Sequence, residues 1–272
     1  FVFVFLVVLA AGLFIESVVF LSYLFVFIFM IPLAWAFRKR HSIITHCFKF
    51  HLIRSLAGLS SMYCYFFALS KIPLAEAVLL SYTAPLFIPL VAFLWLKEPI
   101  RQRFIAAVML GFLGVASIMK PGSEVFRVAA LAGLSAGALA SVGMVSIRRM
   151  SFSEPAFRIV FYYTLISTVL SLVPLIWGWT TPDTATWGVL AATGFVAYAG
   201  QMLVTSGYSL GPSAQLGPFT YTTVVFAGGV GWLFWGEAPD ALSWAGAVLV
   251  FLACIVAAGR EEKSRRGSRV TV

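Results

Sequence analysis

The sequence predicts an all-α polytopic membrane protein, with about ten transmembrane helices arranged as two inverted five-helix repeats. Three observations predict it. Of 272 residues, 61% are apolar and 11% charged, with a mean hydropathy of +0.98, whereas a soluble domain is roughly 45 to 50% apolar and about 25% charged. The apolar stretches run on continuously for about 18 residues or more, which suits a membrane helix; a transmembrane barrel would alternate at every second residue. Thirdly, the chain matches itself at a shift of 139 residues.

Apolar runs, read against polar punctuation, place spans at 1–15, 18–37, 49–69, 74–96, 103–119, 128–147, 156–177, 187–208, 213–235 and 242–259. The first lacks both an initiator Met and a positively charged flank, so it reads as a helix already under way and not as a signal peptide. The 22 Gly and 12 Pro lie largely inside apolar runs, a usage that membrane helices tolerate because neighbouring helices re-satisfy freed backbone groups. Alternate loops fall on opposite sides. Sixteen of the 19 Lys and Arg, including Arg38, Lys39, Arg40, Lys97, Arg101, Arg148 and Arg149, then share one side, against Lys71, Lys120 and Arg127 on the other. The positive-inside rule makes the first side cytoplasmic and puts both termini there, in a bacterial inner membrane. The net charge of +9 is therefore topogenic, and its loop-sized clusters exclude a nucleic-acid groove. Cys47, Cys64 and Cys254 have no metal or disulfide spacing. His41, His46 and His51 are assigned to a basic loop at the lipid headgroups, and neither metal nor cofactor is expected.

At the 139-residue shift, Ser70 to Pro99 align with Ser209 to Ala238, and nine of thirty positions are identical. Paired Pro73/Pro212, Tyr82/Tyr221, Thr83/Thr222 and Glu98/Glu237 are far less common by chance in membrane helices than matches of Leu or Val. Spans 2 to 5 map onto spans 7 to 10, so each repeat holds five helices, and an odd number turns the second copy upside down. The loops agree: Lys97, Arg101 and Arg103 face Gly236, Asp240 and Leu242. The expected organisation is a first repeat over 1–122, a second over 123–259 and a basic tail over 260–272. The shift starts the first helix about eleven residues before Phe1, so the first repeat reads as short at its N-terminus.

Arg54-Ser-Leu-Ala-Gly58, Tyr65-Phe-Phe-Ala-Leu-Ser-Lys-Ile-Pro-Leu-Ala-Glu-Ala77, and Tyr82-Thr-Ala-Pro85 through Lys97-Glu98-Pro99 resemble the EamA-type carriers of the drug/metabolite transporter superfamily. The resemblance covers Val18 to Gly259 and is sharper in the first repeat. It implies a central substrate cavity lined by spans 3, 4, 8 and 9 and parts of 1, 2, 6 and 7. Among family members the chain looks most like carriers of amino acids, nucleoside-like compounds or S-adenosylmethionine.

Polar side chains in hydrocarbon cost up to about 2.5 to 3.5 kcal/mol near a helix centre, so they should face protein or water and mark the cavity. Arg54, Gly58, Ser61 and Tyr65 form one stripe; Gly194, Tyr198, Gln201, Thr205 and Tyr208 form another. Thr83 and Thr222 hold equivalent places in spans 4 and 9. The predicted substrate cavity comprises Ser61, Tyr65, Thr83, Tyr198, Gln201, Thr205 and Thr222; helix-to-helix hydrogen bonding is the competing explanation of each stripe. Glu76 is the candidate for a coupling proton or cation, against a plain role at a helix N-terminus. Arg54 and Arg158 are candidate anion contacts. Pro85, Pro89 and Gly217-Pro218 should interrupt spans 4 and 9 near mid-membrane.

An alternating-access carrier of a small organic metabolite follows, with protons as the candidate coupling ion and an undefined oligomeric state. A passive channel or lipid scramblase is the alternative. A membrane-embedded enzyme is disfavoured, since no metal-ligand or nucleophile motif is expected, and no GxxxxGK[ST] stretch offers an ATP site.

Overall fold

A computed structural model describes residues 14–37, 44–72, 74–119, 128–235 and 240–258. Every regular element among them is helical. These are α1 (Ile15–Phe37), α2 (Phe48–Leu69), α3 (Leu74–Ser81), α4 (Ala84–Leu96), α5 (Gln102–Met119), α6 (Val128–Met150), α7 (Ala156–Leu175), α8 (Thr184–Leu210), the single turn α9 (Ser213–Leu216), a 3₁₀ segment (Gly217–Tyr221), α10 (Thr222–Trp235) and α11 (Ala241–Ala258). Seven segments are long and apolar enough to cross a bilayer, counting α3 and α4 together as one interrupted span. The chain is a multi-pass helical membrane protein. The predicted span 1–15 lies almost wholly outside the described residues.

Spans 4 and 9 are both interrupted, at Pro85 and at Gly217-Pro218, whereas Pro89 stays inside the continuous α4. Pro85 has no N–H to give to Ser81, so α3 ends there. Tyr82 and Thr83 form a turn in which the Tyr82 N–H reaches Val78 O (3.0 Å) and the Thr83 N–H reaches Leu80 O (3.2 Å). In span 9 the break is longer: Pro218 enters a 3₁₀ segment that closes on Tyr221, directly before Thr222. Elsewhere local chemistry sets the ends. Lys97 takes the left-handed conformation that stops α4 (φ 57°), and its N–H bonds Phe93 O at 3.1 Å. Asp183 caps α8 by accepting from the Thr186 N–H (3.0 Å), which starts that helix at Thr184 and not at the predicted 187.

The helices pack in an order that the 139-residue shift maps onto itself. α1 packs on α7 and α5 on α11, each helix against its own counterpart. α1 also packs on α8 and α2 on α7, two contacts that the shift exchanges. Without a hydrophobic force between helices in lipid, close approach depends on small residues. A Cβ on Gly114 of α5 would stand 2.7 Å from the Gly246 carbonyl oxygen of α11. On α6, a Cβ at Gly133 would meet Leu80 Cβ at 2.8 Å, and one at Gly137 would lie 3.1 Å from the Ala84 nitrogen, so α6 runs against the α3–α4 break.

Candidate functional site

A small cleft of about 30 Å³ opens where α1, α2, α7 and α8 meet. Ser22, Tyr23, Met62, Tyr163, Thr164 and Gln201 line it. Its polar centre is a chain of contacts anchored on Arg54, which is 5% exposed. Arg54 Nη1 donates to Gly143 O on α6 (3.1 Å) and Nη2 to Gln201 Oε1 on α8 (3.2 Å). The guanidinium carbon lies 4.3 Å from the centre of the Tyr163 ring, a cation–π contact. The Tyr163 hydroxyl is 2.9 Å from that of Tyr23, with the rings edge to face at 83°. Gly58 makes room for this arrangement, since a Cβ there would be 2.8 Å from Tyr163 Cε2.

Arg54 Nε is buried without a partner, and no carboxylate pairs with the guanidinium among the described residues. A buried charge ordinarily keeps a counter-charge, because desolvating it costs several kcal/mol. Here a ring face and two amide-type oxygens serve instead, beside an open cleft. The guanidinium is thus left without an internal anion among the described residues.

The other sequence-predicted residues are distributed as follows. Gln201 lines the cleft. Ser61 donates to Ala136 O on α6 (2.7 Å), and Tyr65 is half-buried against the cluster containing Phe66. Thr83 and Thr222 lie at the two helix breaks, their hydroxyls bonded to Leu80 O and Phe219 O, each at 2.6 Å. Tyr198 packs against the cluster of Met30, Phe157 and Val160. Thr205 is fully buried, its hydroxyl unpartnered among the described residues. Arg158 stands 3.9 Å from Glu154. Glu76 falls in the first turn of α3, and its side chain lies outside the described set.

Two expectations require correction. His51 is not in a headgroup loop: it lies in the first turn of α2, wholly buried, with Nε2 2.6 Å from Glu154 Oε2. Pairing with a buried carboxylate outweighs its polarity there. Moreover, the letters of a GxSxG nucleophile motif do occur, at Gly133-Leu-Ser-Ala-Gly137. They sit in mid-helix on α6, where the two glycines admit Leu80 and Ala84, and not at the strand-to-helix turn which exposes a nucleophile. Tyr23 and Tyr163 escaped sequence reasoning because tyrosine in a membrane chain reads first as an interfacial aromatic.

The bundle is that of a multi-pass helical membrane protein with a small cleft between α1, α2, α7 and α8. The chain belongs to the EamA-like transporter family, whose model matches residues 1–120 and 127–259. A pseudopaline exporter of Pseudomonas aeruginosa is 37% identical over 207 residues, 75% of this chain and 72% of that protein. A riboflavin transporter of Vibrio cholerae is 24% identical, covering 92% and 85% of the two chains. An S-adenosylmethionine uptake transporter of Rickettsia bellii is 25% identical over 79% and 74%. One solved crystal structure superposes with a TM-score of 0.75 at 22% identity, covering 89% of this chain and 86% of the other, a likeness of fold. The protein is thus a small-molecule transporter in a lipid environment and not an enzyme.

Proposed function

We propose that this protein is a secondary carrier of a carboxylate-bearing organic metabolite, working by alternating access between its two halves. The observation that carries this reading is Arg54, buried beside the cleft with no carboxylate paired to it among the described residues. Arg54 supplies the counter-charge for the substrate's anionic group, while Gln201, Tyr23 and Tyr163 supply hydrogen bonds and a ring face. The other predicted contacts, Ser61, Tyr65, Thr83, Tyr198, Thr205 and Thr222, are read as the walls through which the halves move.

The ten-helix, inverted-repeat arrangement, with halves at 1–122 and 123–259, draws support from the exchanged packing of α1 on α8 and α2 on α7. Two nearly equivalent conformations, one open to each side, follow from such an architecture. The distribution of Lys and Arg supports cytoplasmic termini in a cell inner membrane. The first-turn place of Glu76 in α3 supports a structural carboxylate, favoured there by roughly 0.3 to 1 kcal/mol, over a coupling role.

Counterflow in reconstituted vesicles tests the reading. Vesicles preloaded with S-adenosylmethionine or an amino acid, each of which carries a carboxylate, should take up the same labelled solute faster than empty ones, saturably, for at least one of them; counterflow confined to riboflavin or a nucleoside, which carry none, overturns the carboxylate reading. Uptake without stimulation by internal solute, rising linearly with concentration, is the signature of a passive channel and overturns it.

A further inference from the structure

Apart from the central cleft, the molecule holds a second buried ionic cluster at the start of α2. His51 is 0% exposed and the Glu154 side chain 2%, with His51 Nε2 2.6 Å from Glu154 Oε2. Glu154 lies in the turn between α6 and α7, its N–H bonded to Met150 O (2.9 Å). The Thr45 hydroxyl donates to Glu154 Oε1, and Arg158 Nη1 of α7 is 3.9 Å from the same oxygen. The Tyr162 ring of α7 lies over the imidazole at 4.7 Å and 30°. His51 Nδ1 is buried with no partner among the described residues.

The charged groups that act on His51 are Glu154 in the turn, Arg158 on α7 and Arg54 on its own helix. Holding one shared proton, the imidazole and carboxylate are neutral together. Having lost it, the pair carries a single carboxylate charge, to which the remaining Nε2–H of the neutral imidazole and the Thr45 hydroxyl still donate, with Arg158 3.9 Å away. A site with these two states, shielded from water yet close to a helix end, can load and release a proton. Its position ties it to the cleft. His51 precedes Arg54 by three residues and shares its helix face, so each change of charge is felt one turn away at the arginine. It also joins α2, in the first half, to the entry of α7, in the second.

We propose that His51 and Glu154 form the binding site for this carrier's coupling proton. The proposal rests on the carrier reading above. At the 139-residue shift the counterparts are Leu190 and Ile15, neither of which titrates, so the pair is one proton-binding site and has no twin in the other half.

The three histidines make a direct test practical. The full chain, labelled with ¹⁵N-histidine in detergent micelles, is titrated across about pH 5 to 8, where histidine ordinarily changes charge. His41→Gln and His46→Gln identify the remaining resonance as His51 without touching the pair. His51 should titrate apart from the other two, and Glu154→Gln should move it alone. If the His51 resonance follows the others in both the native chain and Glu154→Gln, or keeps one protonation state throughout, the proposal fails. In vesicles, any probe that passes counterflow should accumulate or deplete about tenfold per unit of imposed pH difference, the ratio for one proton. His51→Gln and Glu154→Gln should keep counterflow while that ratio falls to about one. An unchanged ratio in both variants overturns the assignment. Should no probe show counterflow, the carrier reading falls, while the titration still decides whether the pair binds a proton.

Discussion

Replacing Arg54 by Met separates a substrate contact from a structural brace. The native guanidinium donates two hydrogen bonds, at 3.1 and 3.2 Å, and lies 4.3 Å from the Tyr163 ring centre. Bonds from a charged donor are worth about 1.5 to 3 kcal/mol each and the ring contact up to about 2, so roughly 5 kcal/mol favours it. Against this stands the penalty for burying a guanidinium without a carboxylate, also several kcal/mol. Met fills similar volume with no charge. Arg54→Met should therefore change unfolding stability by no more than about 2 kcal/mol, in either direction. Binding should respond differently. Loss of a desolvated charge pair costs about 2 to 5 kcal/mol, or roughly 30-fold to several thousand-fold in affinity. The assay sets tryptophan-fluorescence melting of the solubilised protein beside the concentration dependence of counterflow. S-adenosylmethionine, which carries a carboxylate, should lose to Arg54→Met any affinity it has, whereas riboflavin, which carries none, should be affected little. A large fall in melting temperature with unaltered affinity for carboxylate-bearing probes would refute the reasoning and make Arg54 a strut between α2, α6 and α8.

Further outcomes follow from packing and capping. Gly58→Ala sets a Cβ 2.8 Å from Tyr163 Cε2 and 2.9 Å from its hydroxyl; it should destabilise by about 1 to 3 kcal/mol and weaken probe affinity as Tyr163 shifts, seen by melting and counterflow. Gly114→Ala, facing the Gly246 carbonyl, should cost a similar amount by forcing α5 from α11, whereas Gly200→Ala, with open space around its Cβ, should be neutral or stabilising by up to about 1 kcal/mol. Hydrogen bonds from Thr186 hold the Asp183 carboxyl below its ordinary range. Its contribution is thus complete above the unfolded-state value and is lost as pH falls through the lower folded-state value, so Asp183→Asn should flatten the melting curve's dependence on pH below about 4 while changing little at neutrality.

Much of the fold was legible because the bilayer leaves few alternatives: an apolar run of sufficient length is a helix, and a proline inside it marks a break. Pro85 gave away the α3–α4 interruption in this manner. The 3₁₀ conformation of Gly217–Tyr221 was not legible, since a glycine before a proline indicates that a helix is disturbed and not which turn replaces it. Within the candidate site, Arg54 and Gln201 were visible as polar residues in apolar runs. Tyr23 and Tyr163 looked interfacial and gained significance when α1 was seen to pack on α7. The His51–Glu154 pair was hidden more deeply. Its members lie 103 positions apart, and each alone looks like a headgroup residue at a helix end.

Tyr23 and Tyr163 are separated by 140 residues, within one position of the repeat interval, and they touch each other. The counterpart of Tyr23 at the 139-residue shift is Tyr162, the residue before, so the contact falls one position from the self-meeting pair that marks an isologous interface. In a dimer of unfused five-helix subunits, every substitution near that axis would arrive twice. An arginine at position 54 would bring a twin of like charge into the same low-dielectric core. With Thr193 at the counterpart position, Arg54 is a cation without a twin, an arrangement that two identical subunits could not make.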